Sequence, residues 1–166
     1  KYDILPQIGS KNDDRALTSA SQMDRNIRWG DEFFDKKNYV KALEYYDKAI
    51  SLKKEGITAR LKKARTLRKM EEFEEAVDTL EKTLEMAEES PKVWTELGET
   101  LHALGDHERE LEAYEEALQF NEDYVDAWRG LGAGLYEKEK YDQALLSFER
   151  VLEVEPKDEI AWNNKG

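Results

Sequence analysis

The 166-residue sequence has no cysteine, three prolines and nine glycines. Without cysteine there is no disulfide frame, no thiolate metal site and no cysteine nucleophile. With so little proline, long stretches are free to run as helix. No apolar run approaches the roughly 20 residues that span a membrane as helix. Basic charge is also outweighed: 26 Lys and Arg stand against 38 Asp and Glu, a net charge of −12. Nucleic acids and anionic membranes are drawn to basic surfaces, so neither is an expected partner. Residue 1 is Lys rather than Met, and no leader-like segment follows. The chain therefore reads as a piece of a longer protein, with the cytoplasm as the expected compartment.

What is present is charge and regularity. Hydrophobic and charged residues each make up 39% of the chain, an apolar share sufficient for a folded core. Trp94, Trp128 and Trp162 are spaced 34 and 34, and a small residue recurs with the same step at Gly30, Ala64, Gly98, Gly132 and Gly166. A fixed period of this length signals a repeat array. Its rows are 23–56, 57–90, 91–124 and 125–158, with the start of a fifth at 159–166 and a lead-in segment at 1–22. Further columns fall into line: Tyr39, Phe73, His107 and Tyr141; Ala42, Ala76, Glu110 and Ala144; Tyr46, Leu80, Tyr114 and Phe148.

Each row reads as two helices. In row four, Trp128, Leu131, Gly132 and Leu135 form one apolar stripe at helical spacing, and Ala144, Leu145, Phe148, Val151 and Leu152 form the next. Gly105 suits a helix C-cap and Asp106 the following N-cap. Ser90-Pro91 opens row three with a cap residue before a first-turn proline. The small residues let paired helices approach closely, and no row can bury its stripe alone, so stability comes from stacking neighbours. Glu110 stands out in a column of alanines, and the expectation is that it escapes to solvent or splays its helix pair.

The runs W-T-E-L-G-E-T-L and W-R-G-L-G-A-G-L, the latter followed by Ala144, Phe148 and Pro156, resemble the tetratricopeptide repeat (TPR) family. The resemblance covers 23–166. It departs at Leu101 and Leu135, which replace the motif Tyr, and in rows one and two, which lack the motif Trp. It implies an all-α fold, a right-handed α-α superhelix of stacked antiparallel helix pairs. It also implies a non-catalytic protein-interaction module that binds a partner protein or peptide in a groove lined by the first helix of each row.

Groove-facing positions implied by the family include Phe34 in row one, Leu61, Lys62, Arg65, Arg68 and Lys69 in row two, Glu99 and His102 in row three, and Arg129 and Tyr136 in row four. Row two is distinctive. Between Lys53 and Lys69 there are eight basic residues and one acid. Arg grips carboxylates bidentately and Lys adds point charge, so an acidic peptide is one expected ligand. Pairing of these bases with Asp31, Asp35, Glu96 and Glu99 is the competing account. Phe34 and Tyr136 read either as ligand anchors or as helix packing, and Gly130 with Ala133 as an open wall in row four. A chaperone-tail clamp, implied by one branch of the family, requires Lys and Asn at the fifth and ninth row positions. Row one has Ile27 and Asp31 there, and row two Leu61 and Arg65.

No enzyme, cofactor or metal site is expected. Glu99 and His102 could reach one metal ion, but two ligands do not make a site, and His107 falls in an aromatic packing column. Scattered Glu residues do not make a catalytic pair, which needs two environments that separate their pKa values. Two alternatives to a groove binder remain. One is end-to-end self-association around Trp162, the other a regulatory or scaffolding arm of a larger enzyme. The apolar residues of YDILPQI in the lead-in segment read as a linker or as a docking peptide.

Overall fold

The computed structural model describes residues 18–53 and 56–165, and every regular element among them is an α-helix. The chain divides after Gly56 into two compact units. The first holds α1 (Ser19–Asp35) and α2 (Tyr39–Leu52). The second holds α3 (Ile57–Lys69), α4 (Phe73–Leu84), α5 (Pro91–Leu104), α6 (His107–Phe120), α7 (Val125–Glu137), α8 (Tyr141–Val154) and α9 (Glu159–Lys165). The all-α class and the pairing of helices agree with the sequence. α1 reaches back to Ser19, with Thr18 capping it through a hydrogen bond accepted from the Ser21 N–H. The YDILPQI segment and Gly166 lie outside the described residues.

The turn inside each helix pair has one conformation. Lys37, Glu71, Gly105 and Glu139, each 34 residues apart, have φ of 58°, 64°, 86° and 60°. The N–H of the next residue closes each turn onto the preceding helix: Asn38 onto Phe33 O, Glu72 onto Leu67 O, Asp106 onto Leu101 O and Lys140 onto Leu135 O. This left-handed cap satisfies carbonyls that the helix end would leave unpaired. Only row three uses glycine there. The other three hold a β-carbon in a region that disfavours one by roughly 1 kcal/mol.

Packing within each pair follows the glycine column. A β-carbon on Gly30 would collide with the Tyr46 ring. One on Gly98 would sit 2.6 Å from Tyr114 Cε1, and one on Gly132 2.8 Å from Phe148 Cε1. Where row two has Ala64 instead, its partner column has the smaller Leu80, and both lie in one core cluster. Large rings thus sit where the facing helix has no side chain, which brings the two backbones close.

In the second unit, α3 contacts α5 and α5 contacts α7, so the first helices of successive pairs form one face. α4, α6 and α8 each pack onto the first helix of the next pair. The tryptophans fix the connections. The indole N–H of Trp94 donates to Glu88 O at 2.6 Å, that of Trp128 to Glu122 O at 2.6 Å, and that of Trp162 to Pro156 O at 3.0 Å. Each indole therefore ties the start of its helix to the loop six residues upstream.

Candidate functional site

The face made by α3, α5 and α7 gathers most of the second-unit candidates, and its charges are largely paired. Arg65 donates to Glu96 through both Nε and Nη2. Arg68 donates to Glu99 Oε2 at 2.6 Å and lies 3.5 Å from Glu96 Oε2. The Glu96 carboxylate is buried, and its hydrogen bond to Arg65 is the main cause that raises the Arg65 pKa. A buried carboxylate needs such partners, because its desolvation is otherwise uncompensated. Of the two accounts of the row-two bases, the pairing with Glu96 and Glu99 is thus present for the two arginines. Lys62 is half-buried, whereas Lys69 and Arg65 are exposed. Leu61 belongs to the core rather than the surface, packed in one cluster with Ala64 and Leu97.

Arg129, half-buried like Arg68, sits in a similar arrangement. It donates to Asp126 Oδ1 and Asp158 Oδ2, each at 2.6 Å, and reaches Glu155 at 3.4 Å. Burial alone would lower its pKa, but the bonds and charges of Asp158 and Asp126 together raise it. Asp158 caps α9 by accepting from the Ala161 N–H at 2.7 Å. That bond first, and Arg129 second, hold its carboxyl below the usual range.

Between these charges lies a cavity of about 310 Å³ lined by Glu99, Tyr114, Asp126, Arg129, Gly130, Ala133, Ile160 and Asn164. Gly130 does not leave an open wall. A β-carbon there would collide with the ring of Tyr114, so this tyrosine of α6 occupies the space left by Gly98 and Gly130 together. Burial, followed by the nearby Glu99 and Glu110 carboxylates, raises the Tyr114 pKa.

The two aromatic candidates pack within their own helix pairs. Phe34 tilts against Tyr39 with centroids 5.4 Å apart. Tyr136 meets Tyr141 edge to face at 5.3 Å, and both rings are more than half exposed. His102 and His107 occupy the same two row positions in row three and stack edge to face at 5.7 Å.

His102 is not held with Glu99, the partner the sequence suggested. Its Nδ1 lies 3.1 Å from Glu110 Oε1 and 3.8 Å from Glu137 Oε2, and His107 Nδ1 lies 2.9 Å from Glu110 Oε2. Nor does Glu110 escape to solvent. It is among the largest fully buried side chains, with both carboxylate oxygens bonded to imidazole nitrogens. Its space comes from the facing helix: a β-carbon on Gly134 of α7 would approach Glu110 Oε1 to 2.9 Å. Sequence reasoning saw a Glu in an alanine column and a His in an aromatic column, but not that the two meet.

A separate depression of about 750 Å³ lies among α4, α5 and α6, with Leu84, Leu97 and Trp94 beside Glu81, Glu85, Glu112 and Arg109. Among the described residues no helix is long and apolar enough to cross a membrane.

The tetratricopeptide repeat family profiles match residues 27–55, 55–129 and 125–158. No curated protein matches the chain. Several solved structures share the fold. PilF of Pseudomonas aeruginosa is 19% identical with a TM-score of 0.80, over 89% of this chain and 67% of its own. MamA of Desulfovibrio magneticus RS-1 is 20% identical with a TM-score of 0.70, over 82% of this chain and 77% of its own. YrrB, described as a TPR protein with an unusual peptide-binding site, is 25% identical with a TM-score of 0.66, over 90% of this chain and 81% of its own. With its repeats matched from residue 27 to 158 and built as paired helices, the chain belongs to the tetratricopeptide repeat family.

Proposed function

We propose that the face of α3, α5 and α7 binds an extended segment of a partner protein, without catalysis. The family membership makes the chain a protein-interaction module in general terms. The likeness to YrrB supports a peptide as the ligand class. The observation that carries this reading is the cavity over Tyr114, walled by Glu99, Asp126 and Arg129, with Arg68 of α3 bonded to Glu99 at its edge and Arg65 and Lys69 exposed on the same helix. Such a surface offers an aromatic floor with charged walls, the composition that anchors partner side chains.

The pairing of Arg65 and Arg68 refines the ligand. Their charge is offset by Glu96 and Glu99. An acidic segment would add to Arg65 and Lys69 at the α3 edge rather than fill an empty basic pocket. Its acidic part belongs over α3, and a neutral or aromatic side chain over Tyr114.

A peptide-display selection tests this on the native chain and on a Lys62→Glu/Lys69→Glu variant that keeps both arginine–glutamate clamps. Acidic peptides enriched on the native chain and lost from the variant are the expected result. The same peptides on both would remove the α3 bases from recognition, and no enrichment on either would end the groove reading.

A second reading, self-association, is favoured by the apolar side chains of Leu146, Ile160 and Trp162, each more than half exposed. Sedimentation of the chain across a wide concentration range decides it, since a monomer throughout leaves those residues without this role.

A further inference from the structure

Row three differs from rows one and four at three clustered positions, each filled by a group that can ligate a metal ion. The ring pair that is Phe34–Tyr39 in row one and Tyr136–Tyr141 in row four is His102–His107 in row three. The alanine column of Ala42, Ala76 and Ala144 holds Glu110 there. Gly134 on the next helix clears the room that this carboxylate fills, where the equivalent positions are Glu32, Thr66 and Thr100. Three packing residues have become two imidazoles and a carboxylate, and all three can present a ligand atom within 4.8 Å of one another.

We propose that His102, His107 and Glu110, with Glu137 as a fourth ligand, bind a divalent zinc-like cation. Bond lengths of about 2.0–2.2 Å place tetrahedral ligand atoms about 3.3–3.6 Å apart. His107 Nδ1 lies 2.9 Å from Glu110 Oε2, and His102 Nδ1 lies 3.1 Å from Glu110 Oε1 and 3.8 Å from Glu137 Oε2, so small side-chain rotations reach that spacing around one carboxylate oxygen. Glu110 is fixed by burial, while both imidazoles and Glu137 have about half of their side-chain surface exposed and so can adjust around it. Both imidazoles face Glu110 through Nδ1. An ion there takes the Nδ1 lone pair of each neutral imidazole in the tautomer that carries its single proton on Nε2.

Charge favours the cation as well. Glu110 and Glu137 together match a divalent ion. His102 lies in the last turn of α5 and Glu137 ends α7, where the helix carbonyls favour positive charge. Two nitrogen ligands select zinc, nickel or copper over magnesium and calcium. Because the ligands come from α5, α6 and α7, the ion would staple two neighbouring helix pairs.

The test uses the untagged chain, zinc chloride titrated calorimetrically, and cobalt(II) read by its visible absorption. One ion per chain with a tetrahedral cobalt spectrum is expected, together with a zinc-dependent rise in melting temperature. His107→Tyr and Glu110→Ala each install the residue that row four carries, and Glu110→Gln accompanies them as the variant that keeps the room at Gly134 filled. Each should weaken zinc at least as much as the roughly 10–100-fold caused by losing an outer-shell partner. His102→Tyr should do the same, while Glu108→Gln, an exposed carboxylate on α6, should leave zinc affinity unchanged. No binding to the folded native chain would overturn the proposal and leave the imidazoles as hydrogen-bond donors to Glu110. Equal binding by native chain and variants would overturn it too, assigning the ion to scattered surface carboxylates.

Discussion

Row three and row four are built alike and finished differently. Each has a glycine under a ring, Gly98 with Tyr114 and Gly132 with Phe148. Each has an indole tied to the upstream loop, and each turns through a left-handed residue, Gly105 and Glu139. At the mouth of the pair, however, row four stacks Tyr136 on Tyr141 above Ala144, whereas row three sets His102 and His107 around buried Glu110. The shared parts are those the stack needs to close. The mouth lies beyond the glycine–ring lock, so chemistry can change there while the two backbones keep their spacing.

The largest expected effect tests the shared part. Tyr114→Ala empties the space beside both Gly98 and Gly130, and should destabilise by about 3–5 kcal/mol. Phe148→Ala, facing Gly132, should cost no more than that. Denaturant unfolding measures both, and a smaller loss for Tyr114 than for Phe148 would mean that the two rows are not locked in the same way. Next comes the mouth itself. The triple change His102→Tyr/His107→Tyr/Glu110→Ala writes row four into row three. In metal-free buffer it exchanges the desolvation cost of a buried carboxylate for a gap at Gly134, and should change stability by less than the roughly 3–5 kcal/mol expected at Tyr114. A large loss would show that the mouth is not interchangeable between rows.

The turns supply a smaller contrast. Glu139→Gly should gain and Gly105→Ala should lose roughly 1 kcal/mol, because both act on a left-handed residue. Thermal melts of the two single variants should move in opposite directions. Removing the indole donors by Trp94→Phe or Trp128→Phe should cost about 1 kcal/mol each, with equal values if the two anchors are equivalent. The smallest effect is one of pH. The folded pKa of Asp158 is depressed by the Ala161 N–H and by Arg129. Its stabilisation is therefore present above the ordinary value of 3.8 and is lost as pH falls through the depressed one. Asp158→Asn should flatten that acid limb, and an unchanged limb would remove this carboxylate from the account.

The architecture was legible because its signals are compositional. Trp and Gly are rare, so their recurrence every 34 residues gave the register, and helical spacing gave the paired stripes. Gly105 was also readable, since glycine marks a left-handed cap. Lys37, Glu71 and Glu139 adopt the same conformation without a residue type that announces it. The interaction face was partly legible. Its bases and acids could be named, but which of them pair depends on a diagonal step of 31 residues, seen in Arg65–Glu96 and Arg68–Glu99. Leu61 is buried like Thr95, its equivalent in row three, so in these two rows that position turns toward the core rather than the open face. Glu110 was hardest, because an isolated Glu reads as solvated until the imidazoles and the gap at Gly134 are seen to surround it.

The indole anchors also make the molecule its own optical reporter. Trp94 and Trp128 are partly enclosed and hydrogen-bonded to the loops that join successive pairs, whereas Trp162 is more than half exposed on the last helix. Their emission should differ in colour and in access to a dissolved quencher. Chains keeping one indole each would then show whether the stack comes apart all at once or peels from one end, pair by pair.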